Sequence, residues 1–331
     1  MLISDKQKKI LTLLADGQFH SGTELAQALG VSRSAIWKQV NALTVLGLQY
    51  SAVSGKGYRL DKPLEFLTVA KIDAYLDNQT KILISSLVIY DQIDSTNRYL
   101  VELAQQQAAS GQVCFAEHQT AGKGRRGRQW VSPFGSNLYL SILWRFQQGY
   151  ASTTGLSLAI GVAVIRVLHQ YPIPDVGLKW PNDIYCKGKK LGGILIEIAG
   201  ETEGPCAAVI GLGLNLFLPD AQAQSITQAW TDLSKVTGQT TIERNRLAGE
   251  LLNQLLSVLA EFESIGINAY LDEWRRYDCL KDHPATLFIG EQPFVGVVRG
   301  INDNGLLLLE HSDGKLQAFA SGEVSFNRTV Q

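Results

Sequence analysis

From residue 4 the apolar positions recur at helical spacing. In SDKQKKILTLLA (4–15) Ile10, Leu11, Leu13 and Leu14 share one broad face, which predicts a helix. Asp16-Gly17 breaks it. Ser21-x-x-Glu24 fits a capping box that opens a second helix through Leu29. Gly30 supplies the turn, and Ser32 caps a third helix expected to run to about Leu46. Two helices joined by a tight glycine turn form a helix-turn-helix. LQYSAVSGKGYRL (48–60) then reads as two short strands around Ser54–Gly57, a wing, and Asp61-Lys-Pro63 ends the unit.

From about residue 65 the pattern changes. Runs at 82–90, 112–117, 137–146, 175–180, 191–198 and 206–218 read as strands, and 95–109, 155–170 and 242–263 as helices. Strands clustered in pairs between long helices predict an α+β mixed sheet rather than a doubly wound one. The tail from about 280 is all strand and turn, with Asp303-Asn-Gly305 as a hairpin signal before Leu306–Leu309, enough for a small β-barrel. The expected organisation is a winged helix-turn-helix domain at 1–63, an α+β domain at 64–275 and a β-rich domain at 276–331. No internal repeat or low-complexity tract interrupts it.

Charge sharpens the division. Net charge is −1, but residues 1–62 hold eight Lys/Arg against four Asp/Glu, and the remainder holds 22 against 27. A basic head on an acidic body implies one domain that touches phosphate and another that does different work. Ser32, Arg33, Ser34, Trp37 and Lys38 open the third helix, where side chains reach a major groove, and Lys56 and Arg59 charge the wing. Helix pairs like this one also occur in bundles that never meet DNA.

Composition excludes other classes. Hydrophobic content of 45% and charged content of 18% are those of a globular protein. No apolar run approaches 18 residues and MLISDKQKKI lacks a signal peptide's apolar stretch, so a soluble, cytoplasmic protein is expected. Cys114, Cys186, Cys206 and Cys279 lie scattered, without CxxC spacing or a histidine cluster, which predicts reduced thiols and no metal site. Glycosylation-like triplets at Asn78 and Asn327 carry no meaning in such a compartment.

Three segments carry candidate chemistry. HQTAGKGRRGRQW (118–130) matches the dinucleotide fingerprint literally, yet runs into Trp130-Val-Ser-Pro-Phe-Gly135, which cannot begin the helix that the fingerprint needs. No Gly-Lys-Ser/Thr follows at Walker A spacing. What remains is a glycine loop with four cations, Lys123, Arg125, Arg126 and Arg128, expected to be mobile until a polyanion orders it. Trp130 is placed to stack on a purine. A solvated surface loop or a basic targeting patch fits the same residues. KWPND (179–183) puts Lys179 at the end of an apolar strand, aimed into a pocket, with Asn182 and Asp183 on the turn after it. A lysine there stabilises charge developing on a phosphoryl oxygen, although strand-end lysines more commonly just reach water. Asp94-Ser-Thr-Asn97 is the third, and a plain helix N-cap also explains it.

Together these segments resemble the biotin protein ligases, and the winged head resembles their bifunctional biotin operon repressor type. The resemblance spans essentially the whole chain: SRSAIWK (32–38), GKGYRL (55–60), DSTN (94–97), QTAGKGRRGRQW (119–130), SPFGSNLY (132–139), KWPND (179–183), KLGGILIE (190–197) and GLGLN (211–215). GVVRGINDNGLLLL (296–309) resembles the family's SH3-like C-terminal domain.

The resemblance implies a class II synthetase-like ligase domain that joins biotin to MgATP, giving biotinoyl-5′-AMP. The biotinoyl group then passes to a lysine of the biotin carboxyl carrier subunit of acetyl-CoA carboxylase. By matching position, Ser95, Thr96, Asn97, Gln119, Lys123, Gly124 and Arg125 contact biotin or its adenylate, and Lys179 sits at the carboxylate–phosphate junction, with Arg125 and Lys179 catalytic. Arg126, Arg128, Trp130, Asn182 and Asn215 serve the nucleotide. Lys123 stands where the family's loop usually has arginine, keeping the charge and losing the fork. The adenylate-bound form is expected to dimerise, with Lys190–Ile196 on an edge strand contributing, and to bind biotin operon operator DNA. The rival expectations are a lipoate-type acyl ligase and a biotin sensor with an inactive ligase domain.

Overall fold

The computed structural model describes residues 4–200, 204–239 and 242–326, so Asn327 lies outside the described residues. Three short helices begin the chain: α1 (Asp5–Leu14), α2 (Gly22–Leu29) and α3 (Arg33–Ala42). Each has a serine N-cap, Ser4, Ser21 or Ser32, accepting from a backbone N–H three residues on. The reciprocal box closes at Ser4 with Gln7. At Ser21 only the cap half is present, because Glu24 turns its carboxylate to His20 Nδ1 at 2.8 Å. The third helix ends four residues early, and Leu43–Leu46 tightens into a 3-10 turn closed by Gly47 at φ +79°. The wing is the antiparallel pair β1 (Tyr50–Val53) and β2 (Gly57–Leu60).

The middle of the chain runs α4 (Val69–Asp73), α5 (Asn78–Leu83), β3 (Ser86–Tyr90), α6 (Thr96–Gln105), β4 (Gln112–Ala116), β5 (Leu138–Phe146), α7 (Leu156–Leu168), β6 (Val176–Lys179), β7 (Asp183–Cys186), β8 (Lys189–Gly200), β9 (Cys206–Leu214), α8 (Leu233–Thr237), α9 (Arg244–Ile265) and α10 (Asn268–Arg276). The strand expected over 82–90 begins only at Ser86, because Asp77 caps the preceding segment through Thr80 N at 2.7 Å and makes it helical. The strands form a seven-stranded sheet in the order β3-β4-β5-β9-β8-β7-β6, parallel only between β3 and β4. This is the mixed sheet that the paired strand runs predict.

Tyr150–Leu168, although its apolar run is broken by serine, threonine and arginine, is long and apolar enough to cross a membrane by length and composition. Most of it is buried, and α7 packs against α9 and the sheet, so it is a core helix here. Its apolar residues on every side follow from that burial.

The tail forms β10 (Pro284–Ile289), β11 (Gln292–Ile301), β12 (Leu307–Glu310), β13 (Leu316–Phe319) and β14 (Glu323–Ser325), an antiparallel sheet in the order β13-β12-β11-β10-β14. Asp303-Asn-Gly305 lies in the β11–β12 connection, as its hairpin signal predicts. This sheet shares one core with the large one, and Leu178 N donates to Tyr277 O at 2.7 Å ahead of it. Trp180 Nε1 donates to Gly305 O at 3.0 Å, tying the β6–β7 turn to the tail.

Candidate functional site

One cleft gathers all three segments singled out in the sequence. Its floor is made of strands stripped of side chains: Gly193 on β8 and Gly211 and Gly213 on β9. A Cβ on Gly211 would stand 2.9 Å from Cγ of Asn97, and one on Gly213 would stand 2.7 Å from Nε1 of Trp130. Close approach is what these glycines provide. The GLGLN segment is therefore a landing surface for one residue of α6 and one of the glycine loop.

Ser95, Thr96 and Asn97 are buried at the start of α6. Ser95 Oγ accepts from Arg98 N, so this segment is a helix cap and a cleft wall at once. Thr96 N and Oγ1 both donate to Gln119 Oε1, at 2.9 and 3.2 Å. Asn97 Nδ2 donates to Glu197 Oε2 at 2.9 Å, and Ser141 Oγ lies 2.6 Å from Asn97 Oδ1. Every amide and hydroxyl here is held in a fixed orientation, as recognition of a small polar ring requires.

The glycine loop roofs the cleft. Gly124 N donates to Arg128 O at 2.7 Å, and Arg126 and Gly127 have φ +56° and +73°. This is a left-handed turn with no helix after it, which removes the dinucleotide fingerprint. The four cations of the loop, expected to wait for a polyanion to order them, have protein partners. Lys123 Nζ meets Glu197 Oε1 at 2.8 Å, and Arg125 Nη1 donates to Asn182 Oδ1 at 2.8 Å. Arg126 and Arg128 face Glu323. These partners come from β8, the β6–β7 turn and β14, beyond the reach of local pattern.

At the far end Lys179 closes β6, only 8% exposed. Burial pushes its ammonium below the ordinary lysine value, against the pull of Asp183. Its Nζ lies 5.0 Å from the Tyr185 ring centroid, and among the described residues it makes no ion pair. Asp183 is taken instead by Lys190, Nζ to Oδ1 at 2.8 Å. Burial also lowers the Arg125 guanidinium, again opposed by Asp183. In all, Lys123, Arg125, Arg126, Arg128, Lys179 and Lys190 line the cleft against two carboxylates, Asp183 and Glu323. A site with that excess charge stabilises a polyanion.

Local pattern did not find Lys190, Glu323, Gln228 or Ser141. Lys190 sat inside a quoted motif with no chemical role attached, and Glu323 arrives from the tail sheet. Asn215, expected at the nucleotide, does not line this cleft: its Nδ2 donates to Thr231 O at 3.1 Å and its N to Leu191 O at 2.9 Å, so it pins the end of β9. Lys190–Ile196 lies on an edge for only part of its length. β8 pairs with β7 as far as Gly193, and Asn182 then takes the N–H and carbonyl of Ile194, so only the end of β8 beyond Ile194 is left as an edge.

Three family descriptions match. Residues 6–59 match a helix-turn-helix domain, 89–215 the biotin/lipoate A/B protein ligase family and 285–327 the biotin protein ligase C-terminal domain. The bifunctional ligase/repressor BirA of Salmonella typhimurium is 42% identical over 96% of either chain. The chain belongs to the bifunctional biotin protein ligase/repressor family. BirA of Bacillus subtilis is 31% identical over 91% of this chain and 92% of its own. A solved biotin protein ligase from Aquifex aeolicus, in complex with biotin and ATP, superposes with a TM-score of 0.61 at 25% identity, over 74% of this chain and 100% of that one.

As in other members of the family, the head carries a winged helix. Ser32, Arg33, Ser34, Trp37 and Lys38 share the exposed side of α3, with Trp37 56% exposed while Ile36 and Val40 face the core. On the wing, Lys56 is exposed, and Arg59 leans over Phe19 with its guanidinium 4.7 Å from the ring centroid. Cys114, Cys186 and Cys206 are buried and Cys279 partly so, and all four are free thiols. Burial pushes Cys114 and Cys279 up to about 12, which makes them inert at neutral pH.

Proposed function

We propose that this cleft joins biotin to ATP and passes the biotinoyl group to a protein lysine. A biotin carboxylate oxygen attacks the α-phosphorus, the bond to the β-phosphate bridging oxygen breaks, and pyrophosphate leaves. The acceptor's lysine amine, on the biotin carboxyl carrier subunit of acetyl-CoA carboxylase, then attacks the acyl carbon. It loses a proton, and AMP departs. The observation that carries this reading is the buried Lys179, lining one cleft with the oriented amide pocket of Ser95–Asn97 and Gln119 and with the cationic roof.

Each residue's part follows from its place. Thr96, Asn97 and Gln119 hold the biotin ring, and Ser95 caps the helix that presents them. Lys123, Gly124 and Arg125 close over the carboxylate end, and Lys179 neutralises charge that builds as carboxylate and α-phosphate meet. Arg126, Arg128, Trp130 and Asn182 serve the nucleotide side. No cluster of three or more His, Cys, Asp or Glu side chains forms a metal site among the described residues. Mg²⁺ enters with the substrate as MgATP, which needs few protein oxygens.

The adenylate-bound protein pairs with a second copy through the edge of β8 beyond Ile194, where Ile198 is 39% exposed. Strand edges with free N–H and C=O groups invite such pairing. Two winged helices then meet the two halves of a biotin operon operator in the cytoplasm. Mass spectrometry of purified protein with ATP and biotin tests the enzyme: absence of biotinoyl-AMP refutes it and favours a sensor. Gel shifts on the organism's own biotin operon, with and without both substrates, test the repressor.

A further inference from the structure

The stretch that follows Trp130 leaves the cleft and enters the winged helix. Phe134 is 1% exposed, and its side chain belongs to the apolar cluster of Ile10, Leu11, Leu14, Ile36 and Leu60 rather than to the core around the large sheet. Its ring meets Phe66 edge-on at 6.2 Å between centroids. Beside it, Gly135 at φ +63° is covered by Leu64, leaving no room for a Cβ. Leu64 N in turn donates to Ala15 O at 2.9 Å, the C-cap of α1.

Two residues before Phe134, Ser132 braces the cleft from behind. Its Oγ accepts from Gln119 Nε2 at 3.1 Å, and its carbonyl accepts from Gln119 N at 3.4 Å and lies 2.7 Å from His118 Nδ1. An amide has one donor end and one acceptor end. With Nε2 committed to Ser132, Oε1 must face Thr96, and both Thr96 donors bond to it. Without Ser132 Oγ the amide Nε2 loses its acceptor, and only the Thr96 contacts hold the Gln119 side chain in place. Ser132 also backs the glycine loop, since a Cβ on Gly122 would stand 2.7 Å from its Oγ. Neither Ser132 nor Phe134 lines the cleft, whereas Gln119 and Thr96 do.

We propose that Phe134 and Ser132 are positioning residues for adenylation. The winged helix grips Phe134, which holds Ser132 against Gln119 and so sets the orientation of the Gln119–Thr96 pair and the base of the loop. By linkage, filling the cleft bears equally on how Phe134 sits in the winged helix. The inference rests on the cleft being the biotin adenylation site.

The test uses full-length protein. Phe134→Ala and Ser132→Ala each raise the biotin KM of adenylation about tenfold while kcat stays within about twofold. The double variant is no worse than the worse single, because both cut one path. Biotin KM within about twofold of wild type in either single, or single effects that multiply to about a hundredfold, overturns the proposal. Phe134→Leu is read by the same criteria where Phe134→Ala does not fold. A second measurement needs no substrate: trypsin cuts after Arg125 and Arg126 about tenfold faster in ligand-free Phe134→Ala than in wild type. Unchanged cleavage overturns the relay. A wild-type protein that makes no biotinoyl-AMP would instead refute the functional reading and leave the trypsin result standing.

Discussion

Replacing Lys179 by alanine removes a buried positive charge at the point where two anions must meet. Two unit charges about 4 Å apart interact by about 4 kcal/mol at an effective dielectric of about 20. Five other cations line the cleft and still offset part of the phosphate charge, so the full value is not lost. Loss of one buried donor aimed at developing charge costs about 2.7–4 kcal/mol, or about 10²–10³-fold in kcat. Biotin affinity should change far less, because the Ser95–Asn97 and Gln119 contacts remain. The assay is pyrophosphate release under saturating substrates beside calorimetric biotin binding. Equal losses in rate and affinity would make Lys179 a plain binding residue and refute the argument. The sign with pH follows from burial. The Lys179 pKa lies below the ordinary value of 10.5, the charged form is the active one, and the rate falls as pH rises through that lowered pKa. Lys179→Arg should move this alkaline fall to higher pH, and an unmoved fall would assign it to another group.

Arg125→Gly deletes the bond to Asn182 and a roof cation, so biotinoyl-AMP should escape and label bystander lysines; labelling confined to the acceptor subunit would show that Arg125 is no retaining clamp. Gly211→Ala forces a methyl against Asn97 at a cost of about 1–3 kcal/mol, and the biotin KM should rise about tenfold or more while the melting temperature falls only slightly. An unchanged KM would remove Asn97 from the biotin pocket. Lys38→Ala should leave adenylation untouched and reduce the salt slope of operator binding by about 1, and an unaltered slope would take α3 off the phosphate backbone.

Local interactions were legible in the chain because they close within a few residues. Ser21 and Ser32 each cap a helix by accepting from an N–H three residues on, and the apolar stripe of α1 needs no distant partner to be recognised. The paired strand runs declared the mixed sheet, and the exit of the glycine loop into Trp130-Val-Ser-Pro excluded a dinucleotide fold. Motif order then identified the family. Where local pattern misled, a distant partner decided. Glu24 turned to His20 instead of closing the capping box at Ser21. Carboxylates from β8 and β14 took up the loop's cations.

Tertiary structure alone set how these parts act together. Glu323 reaches Arg128 across 195 positions, and Trp130 lies on a glycine more than eighty residues later in the chain. Phe134, which reads as one more apolar residue after a proline, proves to belong to the core of the DNA-binding head. Such contacts carry no local signature, because neither partner's type or spacing differs from ordinary core or surface. The sequence thus determined what chemistry the chain carries and where each helix begins. Folding decided which side chains face each other, and therefore how the cleft could be coupled to the head, because only the closed chain seats Phe134 in the head's core and sets Ser132 against Gln119.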